Sequence, residues 1–380
     1  MENKQQLYLD VHVLQTVPPS CLNRDDTGSP KTAVYGGVTR ARVSSQCWKH
    51  AQRLMFKELF PAEMLGVRTK HLVALIAQEV HSLSADVDAE KLALYALELA
   101  KITMKKEEKK PEKGEEKDPK NETAALFFIS NAQIKAIARL IVEQPELFDS
   151  KAPAKDKAAA TESVKAALRA LPGIDVALFG RMVADDPSLN NDACAQVAHS
   201  ISTHAVHNEY DYFTAVDDCA PEDNAGAGHI GTVEFNSATL YRYATVAVHC
   251  LQKQLKEDTV SALRGFVEAF VRSMPTGKQN TFASRTLPNA VYVTLRMDQP
   301  INLVGAFEKS VQADGNGYVE SSIHALCEQA QKTYREYVKA PALSLAIGDS
   351  LADIATVMPL HELLDTLETW LEEHLGKEDA

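Results

Sequence analysis

The chain has no Cys-x-x-Cys pair. Its six cysteines, Cys21, Cys47, Cys194, Cys219, Cys250 and Cys327, are scattered through 380 residues. At that size such spacing argues against a disulfide framework or a zinc knuckle, and reduced thiols are expected. No apolar run approaches the roughly 20 residues of a membrane span. The opening MENKQQLYLD also lacks a signal-like hydrophobic segment, so a cytoplasmic protein is expected. Catalytic signatures are missing as well: there is no GxSxG, no phosphate-binding P-loop, no GxGxxG after a strand, no HExxH and no kinase set. No residue therefore requires catalysis, and no enzyme activity, cofactor or metal is expected. Positive charge is scarce too, with 40 Lys and Arg against 52 Asp and Glu and a formal net charge of −12, which on average disfavours a polyanionic partner.

The positive charge is unevenly placed. Residues 21–57 hold Arg24, Lys31, Arg40, Arg42, Lys49, Arg53 and Lys57 against Asp25 and Asp26 alone. Gly36 and Gly37 allow a backbone to approach a ligand closely, and the arginines and lysines match phosphate oxygens. Ser44, Ser45 and Gln46 fall where a helix N-terminus offers free amides to an anion. Together these groups suit a sugar-phosphate chain gripped without reading its bases. A solvated loop followed by a surface helix is the competing reading.

Length and composition point to a soluble globular chain with a core plus a large insertion or second unit, since 45% of residues are apolar and 24% charged. Leu7, Leu9, Val11 and Val13 alternate with polar neighbours as in a half-buried strand, and Pro, Gly and Ser make 15–43 a loop. In the helix that follows, Cys47, Trp48, Ala51, Leu54 and Met55 share one side, while Gln46, Lys49, Arg53 and Lys57 share the other. From 63 to 171 the texture is helical, interrupted by KKEEKKPEKGEEKDPKNE at 105–122, whose composition predicts a solvated linker. Strand texture returns at 231–249 and 290–297, with a helix between them that carries Leu263, Phe266, Val267, Phe270 and Val271 inward and stops at Pro275. Strands alternating with helices on one side of an antiparallel sheet predict an α+β fold, ferredoxin-like in its leading form. The end of the chain, LHELLDTLETWLEEHLG, predicts an acidic amphipathic helix.

Two further stretches bear on function. AHSISTHAVHNEYDYFTAVDD, 198–218, places His204, His207 and Asp211 at spacings a metal site would permit, but ordinary loop histidines explain them better. Its Tyr212, Phe213 and Thr214 form an aromatic tip that either wedges between bases or staples locally to the core. MPTGKQNTFASR, 274–285, sets Lys278, Gln279, Asn280 and Arg285 after a flexible Gly277 and reads equally as a phosphate contact or a polar connection.

The ordered set HVLQTVPPSCLNRDD, YGGVTRARVSSQCWKHAQR, IDVALFGRM, AQVAHSISTHAVHNEYDYFTAVDD, HIGTVEFNSATLYRYA and GKQNTFA resembles the CasC family, the repeated backbone subunit of the type I-E CRISPR complex called Cascade. The resemblance runs from about residue 7 to 310. It implies an RNA-recognition-motif-like palm from 1–60 and 172–340, helical fingers from 61–171, a thumb loop within 200–230, and a tail from 341–380. It implies further that copies of the chain line up along a CRISPR RNA and present it to a target DNA strand, with other Cascade subunits as partners and no membrane. Carried over by position, Arg24, Lys31, Ser44, Gln46, Lys49 and Arg53 fall at the RNA backbone, while Met182, Phe213 and Thr214 fall where bases are pinched. Related backbone subunits in other CRISPR types cut RNA with a loop aspartate. A metal-dependent ribonuclease using Asp25, Asp26, or the group His207, Asp211, Asp217 and Asp218 is accordingly the alternative.

Overall fold

The computed structural model describes residues 6–84, 87–105, 121–148, 151–215, 229–313 and 315–375. In chain order the elements are β1 (Tyr8–Ser20), β2 (Thr32–Tyr35), β3 (Val38–Val43), α1 (Ser45–Leu59), β4 (Gly66–Thr69), α2 (Leu72–Leu83), α3 (Ala89–Leu99), β5 (Phe127–Ser130), α4 (Asn131–Glu143), α5 (Ala154–Arg169) and α6 (Ile174–Phe179). They continue as β6 (Ala195–Val197), β7 (Ser200–Ser202), β8 (Glu209–Ala215), β9 (His229–Ala247), α7 (Val248–Leu255), α8 (Thr259–Arg272), α9 (Gln279–Phe282), β10 (Ala290–Arg296), α10 (Val319–Glu336), β11 (Leu343–Ile347), β12 (Thr356–Val357) and α11 (Leu360–Leu375). Two compact units result: one from 1–55, 195–249 and 260–380, the other from 56–194 and 250–259. The second unit takes in 172–194, which the family resemblance places with the palm.

The first unit is built on a mixed sheet in the order β12-β11-β10-β1-β9-β7-β3-β2, with β6 and β8 also pairing with β9. Every pairing in it is antiparallel except β11 with β12. The central strands differ from the sequence expectation, because β1 is covered on both faces rather than half-buried. Its Asp10, His12 and Gln15 are as buried as Leu9, Val11 and Val13.

Each face has its own reason to tolerate polar groups. On one, Arg242 lies with its guanidinium 3.7 Å from the Trp48 ring of α1 and 4.6 Å from the Phe270 ring of α8. It donates to Gln15 Oε1 at 2.6 Å and to the Phe270 carbonyl, so a buried cation is both bonded and stacked. Burial draws its pKa down to about 9. On the other face, Asp10 accepts from the Tyr243 hydroxyl at 3.0 Å and from the Ile301 N–H at 2.9 Å, and His12 Nδ1 lies 2.8 Å from the Tyr241 hydroxyl. Tyr241, Tyr243 and Tyr292 there pack with Phe307 and with Ile323 and Leu326 of α10. Helices thus cover both sides of the sheet, a correction to the one-sided expectation.

The stretch 15–43 is also not simply a loop. β1 runs on to Ser20, through Pro18 and Pro19, and β2 and β3 form a hairpin whose Tyr35↔Val38 pair closes over Gly36 and Gly37. Both glycines have positive φ, 59° and 78°, as a tight two-residue hairpin turn demands. Gly36 is doubly constrained, since a Cβ there would stand 1.7 Å from the Glu308 carbonyl oxygen.

In the second unit α2, α3, α4 and α5 enclose an apolar core with Leu72, Ile76, Val80, Ala93, Leu97, Ile137, Ile141 and Val164 all buried. α4 starts on a capping box in which Ser130 Oγ accepts from Gln133 N–H at 3.0 Å and Gln133 Oε1 accepts from Ser130 N–H at 3.1 Å. Most of the charged run 105–122 lies outside the described residues, as do 216–228 of the expected thumb.

Candidate nucleic-acid interface

The loop after β1 is shaped by Asp25. Its Oδ1 accepts from the Thr27 hydroxyl at 2.7 Å, Thr27 N–H at 2.9 Å and Ser29 N–H at 3.0 Å, and these bonds hold its pKa below the usual carboxylate range. Arg24 bridges by backbone to Pro30 and is exposed at the rim of this turn. Asn23 ties the far side, accepting the Lys31 N–H through its carbonyl and the Ser44 N–H through Oδ1, both at 2.9 Å.

Gly277 brings the second basic stretch to the first. A Cβ on it would fall 2.1 Å from the Leu22 carbonyl oxygen, so only glycine allows the 274–285 segment to close on residues 21–22. Lys278 follows with φ 52°. Burial pushes the Cys21 thiol pKa up, the charges of Arg24 and Lys278 pull it down, and those of Asp25 and Glu234 raise it, so groups of both signs surround this thiol. Residues 22–28 and Gly277 line an open trough of about 520 Å³.

On β3, Arg42 donates from Nε to the Thr32 carbonyl at 3.0 Å and sets Nη1 3.1 Å from His199 Nδ1. His199, exposed between β6 and β7, carries no sequence signal, since a lone histidine in AHS gives no pattern. On α1, Gln46, Lys49, Arg53 and Lys57 follow the predicted polar stripe, but Leu54 belongs with them, being 42% exposed, while Gln52 is buried in its place.

Two expected contacts are corrected. Arg40 has no exposed surface; it donates to the carbonyls of Tyr35 at 3.2 Å, Ser202 at 3.0 Å and Phe307 at 2.9 Å, clamping the β2–β3 hairpin to β7 and the 303–307 turn. Ser44 is buried too, and its Oγ accepts from Cys47 N–H at 3.4 Å as the cap of α1. Ser45 is half-buried and donates to Gln46 Oε1 at 3.4 Å. Gln279 is half-buried, and its amide oxygen, turned inward, accepts from the Ser284 and Arg285 N–H groups at 3.1 Å, closing its own turn.

The aromatic tip lies on a strand, not a loop. β8 and the first part of β9 form a two-stranded ribbon with Phe213 opposite Gly231 and Tyr212 opposite Thr232. A Cβ at residue 231 would stand 2.4 Å from Phe213 Cζ, so the ring lies across bare backbone and remains 39% exposed. Tyr212, on the opposite face, is 64% exposed. His204 is buried, with Nε2 accepting from Thr239 N–H at 3.1 Å, and no group of three metal-ligating side chains occurs among the described residues. Asp217 and Asp218 lie outside them.

In the second unit Met182 is 84% exposed and rigidly mounted. Before it, buried Arg181 donates to the carbonyls of Leu189, Phe128 and Leu168 and to Gln133 Oε1 at 2.7–3.2 Å. After it, Val183 N–H donates to Asn190 Oδ1 at 2.6 Å. An apolar side chain held outward by two anchored neighbours is shaped for contact rather than for the core.

The cationic loop, the hairpin and the Gln46, Lys49 and Arg53 part of α1 lie in one unit of this α+β chain. Residues 9–372 match the model of the CT1975-like protein family, and the chain belongs to that family. A solved chain from a "CRISPR RNA-guided surveillance complex, pre-nicking" superposes with a TM-score of 0.78 at 31% identity, over 96% of this chain and 99% of that one. Another, from a "CRISPR RNA-guided surveillance complex", gives 0.60 at 25% identity over the same shares. No curated protein matches the chain. Among the described residues no helix is long and apolar enough to cross a membrane.

Proposed function

We propose that this protein is a non-catalytic, CRISPR RNA-binding backbone subunit of a Cascade-type surveillance complex, of the CasC kind found in type I-E systems. Several copies polymerise along one guide in the cytoplasm and present its bases to a target DNA strand. The observation that carries this reading is the family match over nearly the whole chain, joined to the placement of Arg24, Lys31, Arg42 and Lys278 in one unit. The strand order β10-β1-β9 with β6 and β7 beyond it, crossed by α1 and α8, supports an RNA-recognition-motif-like palm.

In this reading the loop, the hairpin and α1 hold phosphates and fix register. Met182 and the ribbon residues Tyr212, Phe213 and Thr214 displace occasional bases, and the rest of the guide stays stacked, which lowers the ordering cost of pairing. Sequence discrimination is left to the guide itself. Asp25, bonded three times within its own turn, serves the loop that carries Arg24.

Co-expression with a CRISPR array tests the reading. The chain should co-purify with guide RNA as a multimer. Lys49→Ala with Arg53→Ala should flatten the salt dependence of binding by roughly 0.7 log unit for each phosphate no longer held, whatever the spacer sequence. Purification free of nucleic acid, or a salt slope unchanged in the double variant, rejects it. Regular cuts in a complementary RNA with Mg²⁺, abolished by Asp25→Ala, would establish the nuclease instead.

A further inference from the structure

We propose that His199 forms, with Arg42 and Lys31, a phosphodiester seat on the first unit, and that it takes up a proton when an RNA strand binds there. The inference rests on the RNA-binding reading and adds a residue and a proton linkage to it. Pairing of β3 with β7, Arg42 opposite Ile201 and Val43 opposite Ser200, sets the β6–β7 turn beside the outer end of the hairpin and brings His199 to Arg42. The Arg42 guanidinium is oriented by its Nε bond to the Thr32 carbonyl, and its Nη1 meets His199 Nδ1 at 3.1 Å. A nitrogen facing an arginine N–H at that distance is an acceptor, so before a strand binds the ring is neutral and its proton is on Nε2.

The charges acting on the ring are those of Arg42, from β3, and Lys31, at the entry to β2. Desolvation of the side of the ring that faces the protein comes first, and these two positive charges add to it, so that together they hold its pKa below the ordinary histidine value. The Arg42 backbone N–H donates to the Lys31 carbonyl at 2.9 Å, Lys31 and Arg42 line one pocket, and His199 meets the Arg42 guanidinium, so the three side chains stem from one small patch that suits an anion. A phosphate oxygen seated among them reverses the field at the imidazole: a negative charge within about 4–6 Å favours the protonated ring, and Nδ1 gains a proton from solvent to donate to the anion in place of accepting from Arg42. Binding and protonation then reinforce each other, each raising the other by the same factor.

The test is fluorescence anisotropy of the full-length chain with a labelled single-stranded RNA, at fixed ionic strength between about pH 5.5 and 8. Wild-type affinity should rise on acidification by roughly threefold to tenfold more than that of His199→Gln. His199→Arg, which keeps the charge at every pH, should bind at about pH 8 as tightly as the acidified wild type and lose most of the pH dependence. Parallel pH profiles for wild type and His199→Gln overturn the inference while leaving RNA binding in place. Absence of binding by the wild type at any pH overturns the RNA-binding reading itself.

Discussion

Replacing Arg40 with methionine separates the structural cation of the basic stretch from those offered to a ligand. The guanidinium makes three bonds of 2.9–3.2 Å to the carbonyls of Tyr35, Ser202 and Phe307 and a longer, weaker one of 3.4 Å to that of Glu308, with no exposed surface. Methionine fills much of the volume but donates nothing, so three buried carbonyls lose a charged donor. At about 1.5 kcal/mol each, the low end because the variant also spares the desolvation of a cation, the loss is roughly 4–5 kcal/mol. For a folding unit of this size that lowers the melting temperature by about 10 °C or more. Arg42→Met is the matched control: its half-exposed side chain makes one backbone bond, and stability should change little. Calorimetry and salt-dependent RNA binding, measured below both melting temperatures, give opposite patterns. Arg40→Met should melt early with its salt slope intact, whereas Arg42→Met should melt normally with a slope flatter by about 0.7. An Arg40→Met protein that melts like the wild type and has the flatter slope would show the guanidinium to be at the RNA and the clamp to be wrong.

Three other outcomes follow from the packing. Gly277→Val forces a Cβ onto the Leu22 carbonyl and should push Lys278 away from the 21–22 backbone, flattening the salt slope of RNA binding by about 0.7 log unit, the share of one phosphate, with secondary structure by circular dichroism unchanged. Arg181→Met removes four hydrogen bonds from under Met182, so amide exchange over 180–191 should accelerate strongly in mass-spectrometric labelling; unchanged protection would refute the mount. Asp10, raised by burial to about 6, lends stability that is full below its ordinary 3.8 and is lost as pH rises through 6, whereas His12, lowered by burial to about 3, lends stability that is full above 6.5 and is lost as pH falls. The two offset each other in the wild type. Asp10→Asn should therefore gain up to about 3 kcal/mol relative to it between pH 4 and 7 in urea unfolding, and a parallel pair of curves would refute the assignment.

The helices and long strands are legible in the sequence because their cores are local. α8 buries Leu263, Phe266, Val267 and Phe270 as its spacing predicts, and α11 buries Leu363, Leu364, Leu367 and Leu371. The 32–43 hairpin escapes that reading although Gly36-Gly37 between two alternating segments is a hairpin signal, because the surrounding Pro, Gly and Ser weigh as strongly toward a loop. The fates of Arg40 and Arg42 are beyond local reading. Two residues apart on one strand, they end in different surroundings, and the carbonyls that bury Arg40 come from Ser202 and Phe307. Composition locates a cluster of charge, and only tertiary neighbours decide which members reach solvent. Polar groups within β1 defeat simple alternation for the same reason, since their partners Tyr243, Ile301 and Tyr241 lie on distant elements.

β9 runs unbroken for 19 residues, its first part in the exposed ribbon with β8 and its remainder beside β1 in the middle of the sheet. Because the cross-strand hydrogen bonds run perpendicular to the strands, a tug along β9 loads the whole β1–β9 ladder in shear, and its rungs resist together instead of opening one by one. The ribbon is thus a handle on a stiff rod anchored at the centre of the sheet, suited to bearing tension from whatever grips its far end.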